Sequence, residues 1–419
     1  MPIYSRLGGP LWRALSSRNA RIFFSASLVA WTGLWMHRIA VAWLAWELTG
    51  SAAWVGAVAF ADLAPAVLCS PVAGAVADRM DRVLLTQFSQ GAIALGAGLE
   101  ALLVGTGSIS IGLLLAIETW NGVAASFSQP ARQTLMPALV AREDLPSAVA
   151  ANSLLFNVAR FIGPGMAGPV IAIAGVWPAM LCNALGNLLA TATMPALTID
   201  PAHRRGHPAT ASLLAETVEG LAYAARHPGL GPLFGFAALA AILLRGVPEI
   251  LPPYVERLFG RGAESLGALT ASFAVGALTA GLIVASRGRL RGTTRIAIAA
   301  VAAQAVAMAG FVATGEFLFA MVCAAMLGAC GSAHGISVQV LAQTAAAPSM
   351  RGRIMSVWGM ISRAGPALGA LMLGGAGEIW GLRWPTLAAV GLGVALVAWA
   401  ATRAKDIARA LEVPREERG

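Results

Sequence analysis

From residue 21 to residue 403 the chain is a succession of apolar stretches parted by short turns that hold most of its charge. A helix rises about 1.5 Å per residue, so about 20 apolar residues cross a hydrocarbon core about 30 Å thick. The stretches read 21–46, 53–77, 83–105, 109–136, 147–173, 177–197, 231–253, 265–286, 295–314, 317–345, 354–377 and 385–403. Inside lipid each backbone polar group needs a partner from its own segment, so stretches of this length are helices. The expectation is an all-α integral membrane protein with twelve transmembrane helices, whose even number returns both ends to one side.

The turns fix the orientation. The segment Gly74-Ala75-Val76-Ala77-Asp78-Arg79-Met80-Asp81-Arg82 packs four charges between the second and third stretches. On its side lie Arg6, Arg13, Arg18, Arg21, Arg142, Arg226, Arg287, Arg351 and Arg353; the opposite turns offer little beyond Arg257, Arg261 and Arg383. Arginine-rich turns stay in the cytoplasm, which predicts both termini inside a bacterial-type inner membrane. The same bias explains the net charge of +9 more cheaply than nucleic-acid binding does. Only 12% of the residues are charged, about half the usual share of about 25%, which is too few to cover a soluble surface. Cys69, Cys182, Cys323 and Cys330 all fall in apolar stretches and form no CxxC pair, so neither a disulfide frame nor a metal centre is implied. The first stretch follows several arginines and shows no clear cleavage site for a signal peptide.

Polar residues concentrate in 198–230 and divide the chain in two. The expected organisation is a cytoplasmic segment 1–20, a six-helix bundle 21–197, a cytoplasmic loop 198–230, a second bundle 231–403 and a tail 404–419. The halves echo each other in order. Val55-Gly56-Ala57 is answered by Leu266-Gly267-Ala268, and Gly74 before Arg79 and Arg82 by Gly281 before Arg287 and Arg289. Arg160-Phe161-Ile162-Gly163-Pro164 is answered by Arg363-Ala364-Gly365-Pro366. A parallel repeat of this kind builds a cavity where the halves meet.

Gly74-x-x-x-Asp78-Arg79-x-x-Arg82 resembles the signature loop of the major facilitator superfamily, with Asp81 where glycine is usual and Val83 where a basic residue is common. Leu48-Thr49-Gly50-Ser51, Pro130-Ala131-Arg132-Gln133 and Arg351-Gly352-Arg353-Ile354-Met355-Ser356 are similar to the subgroup of siderophore exporters and drug-efflux permeases. The resemblance implies two pseudo-symmetric bundles that rock about a central site, with Asp78, Arg79 and Arg82 as a cytoplasmic gate. Gly163, Pro164, Gly165 and Gly168 resemble the antiporter motif, which favours export over uptake. The expected function is secondary active transport, foremost proton-coupled export of a small amphipathic molecule such as a drug or siderophore. Uptake of a solute, and a lipid-flipping or sensor protein, are the alternatives.

Ionisable side chains at membrane depth are costly and default to functional candidates. Asp62, Glu118 and Glu249 are the candidate proton carriers, because a desolvated carboxyl can gain and lose a proton as a cavity opens and closes. Asp62 reads equally as a carrier and as a partner for Arg38; Glu118 reads as a contact for proton or substrate and as a partner for Arg160. Arg245 and Glu249, four apart, pair with each other or form an outer gate. Trp35, Arg38, Asn121, Asn157, Arg160, Arg363 and His334 are the candidate cavity residues; Arg160 and Arg363, at matching places in the halves, also read as architectural. Glu100 lies nearer the outer end of its span, and His37 is a lone imidazole with a weak claim to carry protons. There is no phosphate-cradling Gly-x-x-x-x-Gly-Lys-[Ser/Thr], no His/Cys metal spacing and no nucleophile elbow, so neither an ATP-driven pump nor an enzyme is expected. The expected partners are a small-molecule substrate, protons and the bilayer, with no cofactor, no metal, no nucleic acid and a monomeric working unit.

Overall fold

A computed structural model describes residues 15, 17–199, 213–287 and 290–412; of the side chains within its helices, that of Asp78 is among those outside the description. Helix covers every expected span. The first six are α1 (Arg18–Thr49), α2 with α3 (Ala52–Leu68 and Ser70–Arg79), α4 (Arg82–Gly105), α5 (Ile111–Leu135), α6 (Leu145–Ala174) and α7 (Trp177–Thr193). A helix of the central loop, α8 (Leu213–Arg226), precedes α9 (Leu230–Leu244) and α10 (Leu251–Phe259), which together form the seventh span. The last five are α11 (Ala263–Ser286), α12 (Thr293–Ala313), α13 (Phe317–Ala345), α14 (Arg351–Trp380) and α15 (Arg383–Leu411). Among the described residues, nine helical stretches are long and apolar enough to cross a bilayer, α9 with α10 counting as one; α2, at 17 residues, falls short of that length.

Local chemistry sets the ends and the breaks. Asp81, the departure from the signature loop, is the N-cap of α4: its carboxylate accepts hydrogen bonds from the backbone of Val83 at 2.8 Å and Leu84 at 3.2 Å. Ser110 caps α5 in the same way, accepting from Leu113. The second span breaks at Cys69, one turn after Pro65 removes a donor and just before Pro71 opens α3. The seventh breaks over a 3-10 turn, Val247–Ile250, with Pro248 in it. That break frees the carbonyl of Leu244, and the buried Gln304 of α12 donates to it at 3.2 Å. Irregular backbone at this depth needs such a protein-borne partner.

The residues group into two compact units: 1–44 with 68–210, and 45–67 with 211–419. In the first, Phe23 and Phe24 of α1 pack with Val83, Leu135, Ala151 and Met194. In the second, Leu230 and Phe234 of α9 pack with Val338, Leu341, Val357 and Ile407. Large apolar side chains such as Ile173, 85% exposed, look outward, as a lipid-facing surface requires. Within the second unit α11 and α13 cross closely. A methyl group on Gly276 would lie 1.8 Å from the carbonyl oxygen of Ala325, and one on Gly328 would lie 2.0 Å from that of Phe273. Each helix gives up a side chain where it meets the other's backbone, the usual device for helix association without a hydrophobic drive. Helix α2 meets α14 in the same reciprocal way, through Gly56 against Ala370 and Gly374 against Ala52.

Candidate proton-coupling and substrate site

In the first unit three titratable side chains converge from three helices. His37 comes from α1, Glu100 from α4 and Glu118 from α5, and they are 3%, 0% and 4% exposed. Nε2 of His37 lies 3.1 Å from Oε1 of Glu118 and 3.3 Å from Oε2 of Glu100. Asn121, one turn along α5 from Glu118, donates from Nδ2 to the same Oε1 at 2.9 Å. Room for that amide comes from Gly96 of α4, where a methyl group would fall 2.1 Å from Asn121 Oδ1. The indole of Trp120 ties α5 to α4 by donating to the carbonyl of Ala92 at 2.9 Å.

One imidazole nitrogen facing two carboxylates must carry a proton for both contacts to attract. With a neutral imidazole the group holds two negative charges. A first added proton leaves one, and a second leaves none. Burial penalises net charge, so the two acids and one base cannot all sit there in their ordinary ionised forms without cost. Ligand atoms of the three side chains all lie within 4.8 Å of one another, a spacing that also allows a cation.

Glu118 is therefore met by His37, Asn121 and Glu100. Arg160, the partner weighed for it from the sequence, lays its guanidinium over the ring of Trp35 at 5.3 Å, and Arg38 covers the same ring at 5.5 Å. Trp35 and Trp31 both meet Phe156 edge-on, with centroids 6.0 and 5.4 Å apart. Gly163 of the antiporter-like segment brings α6 against α1: a methyl group there would lie 2.6 Å from Cβ of Trp35. Pro164 and Gly168 are buried alongside, and Gly165 is open. Asn157 lines a separate cavity with Trp31, Phe156 and Arg132.

The other candidates lie elsewhere. Asp62 is half-buried on α2, in the segment that groups with the second unit. Glu249 sits in the 3-10 turn of the seventh span, within electrostatic reach of Arg245. His334 is bound into helix packing, with Nδ1 3.1 Å from the carbonyl of Ala297 and its ring edge-on to Phe236. Arg363 is half-buried on α14. Of the three residues expected at a gate, Arg79 is exposed at the end of α3 and Arg82 opens α4, while the side chain of Asp78 lies outside the described residues.

A second polar cluster, not foreseen from the sequence, lies wholly within the second unit. The indole of Trp46 donates to Glu256, and Arg257 donates to the carbonyl of Gly50 at 2.8 Å and covers the Trp46 ring at 4.8 Å. Glu378 of α14 accepts from the backbone of Ala52 at 2.9 Å and lies 3.9 Å from Arg257. Leu48-Thr49-Gly50-Ser51 marks the place, and Gly50, at φ +59°, makes the turn.

Comparison with known proteins gives concordant results. Residues 10–415 match a family of the major facilitator superfamily described as transmembrane secretion effectors. The enterobactin exporter of Citrobacter koseri is 31% identical over 346 residues, 79% of this chain and 76% of that protein. The staphyloferrin A transporter of Staphylococcus aureus is 29% identical over 171 residues, 41% of this chain and 43% of that protein. Among solved structures, a bacterial homologue of the human lysosomal transporter Spinster, inward-facing and unoccupied, superposes with a TM-score of 0.73 at 15% identity, covering 94% of this chain and 99% of that one. The nucleoside transporter NupG gives 0.70 at 14% identity, covering 92% and 98%.

Proposed function

We propose that this chain, which belongs to the transmembrane secretion effector family of major facilitator transporters, is a proton-coupled exporter of a small amphipathic molecule of the drug or siderophore class. The observation that carries coupling is the buried His37–Glu100–Glu118 group, with Glu118 as the exchanging carboxyl. Protons entering down their gradient neutralise the group, and substrate leaves by the alternate opening. Export over uptake draws support from the antiporter-like Gly163–Pro164 segment and from the relatives, one of them an enterobactin exporter.

In this reading the bundles 21–197 and 231–403 are the moving bodies, the inner membrane is the site of action and both termini face the cytoplasm. Asp78, Arg79 and Arg82 hold the cytoplasmic side closed when the outside is open. The working unit is the monomer.

Proteoliposomes with an internal pH dye test this, with enterobactin and ethidium as probe substrates. Substrate flux against its gradient should move protons the other way. Glu118→Gln should reduce gradient-driven flux at least tenfold and leave substrate exchange intact, because the amide cannot carry a proton. Wild-type uphill transport by that variant would refute the assignment. Flux in the opposite direction would favour uptake, and no saturable solute flux would favour a lipid-flipping or sensor protein.

A further inference from the structure

The cation of Arg132, in the Pro130-Ala131-Arg132-Gln133 segment near the end of α5, is not used by the coupling group. Its guanidinium is held between two rings, 5.0 Å over Phe23 and 4.8 Å over Trp31. One nitrogen, Nη2, donates to Oγ of Ser27 at 2.7 Å. Among the described residues no carboxylate lies within ion-pair distance of it. A guanidinium has five N–H donors, and this one uses a single donor on a neutral hydroxyl. Arg132 also lines a cavity of about 210 Å³ whose other polar residues, Gln129, Asn152 and Asn157 among them, carry no charge. The edge-on pair of Trp31 and Phe156 forms its apolar wall.

A half-buried cation without a counter-charge is costly unless something anionic comes to it. The two rings stack against the guanidinium and leave the edge of its fork, which matches the two oxygens of a carboxylate. We propose that this cavity is a substrate subsite for an organic oxyanion carried on a flat ring, with Arg132 binding the anionic group, Trp31 and Phe156 flanking the ring and the amides of Gln129 and Asn157 meeting its polar substituents. The proposal rests on the reading of the chain as a small-solute transporter and adds the charge and shape that one subsite selects.

The test is equilibrium binding by the full-length protein in detergent, with 5-fluorosalicylate as the probe followed by fluorine NMR. The matching neutral alcohol, 5-fluoro-2-hydroxybenzyl alcohol, reports partition into the micelle. The expected result is saturable binding of the anion, displaced by unlabelled salicylate, with the alcohol partitioning without saturation. Arg132→Gln should weaken the anion by about tenfold to a hundredfold, the usual size of a hydrogen bond to a charged group, and leave the alcohol unchanged. Arg132→Lys, which keeps the charge and loses the fork, should fall between. If Arg132→Gln does not fold, Arg132→Lys and Asn157→Ala carry the same comparison. Equal behaviour of anion and alcohol, or unchanged anion affinity in the variants, would overturn the proposal. Binding needs no gradient, so that failure alongside intact coupled flux would remove the subsite and leave the exporter standing.

Discussion

The crossing of α11 and α13 offers a quantitative test of how this protein is held together. Gly276→Ala puts a methyl carbon 1.8 Å from a backbone oxygen, where ordinary contact begins at 3.4 Å; Gly328→Ala does the same at 2.0 Å. The obstacle is backbone in both cases, so no side chain can swing aside, and the helices must part by more than an ångström. Separation on that scale forfeits a quarter to a half of each dispersion contact across the seam, and overpacking of this kind costs about 1–3 kcal/mol. Alanine's better helix propensity returns up to about 1 kcal/mol. The net expectation for either variant is a melting temperature lower by several degrees in detergent, read by tryptophan fluorescence. Gly281→Ala on the same helix is the control. Its methyl carbon would meet Oγ of Ser332 at 3.7 Å, so it should melt at or above the wild-type temperature. Equal melting of Gly276→Ala and Gly281→Ala would refute the claim that small residues set this helix spacing.

Two further outcomes follow from positions already described. Gln304→Leu leaves the buried carbonyl of Leu244 without its partner and should cost about 1–3 kcal/mol, seen as a lower melting temperature. Asp78→Asn should raise the inward-open population, because the proposed gate loses its acid, and Ala285, which stands where Asp78 does when Gly281 is set against Gly74, supplies none. Cysteine-accessibility labelling from the two sides measures that shift, and an unchanged pattern would remove Asp78 from the gate.

Hydropathy alone located the helices, since span length and backbone satisfaction in lipid leave few choices. The breaks at Cys69 and around Pro248 had their prolines in view, but a proline does not say whether a helix bends or stops. The site was harder to read, because period and spacing describe one helix at a time. Glu118 stood out, whereas its meeting with His37 and Glu100 is a matter of equal depth on separate helices. Counted from the arginine-rich ends of α1, α4 and α5, at Arg18, Arg82 and Leu135, the three lie 19, 18 and 17 residues in. At about 1.5 Å per residue they fall in one layer about 3 Å thick. That count was available in the sequence. The facing rotation of the helices was not, and it rests on contacts such as Gly96 against Asn121.

Helix α2 has a consequence for the order in which the protein is made. Its glycine seam fits α14, which begins at Arg351, about three hundred residues later in synthesis. Until that helix enters the bilayer, the Gly56 face has lipid for a neighbour in place of its partner. The first six spans thus enter the bilayer with one helix not yet seated, and a chain severed between α7 and α9 should regain its packing only when both fragments share a membrane.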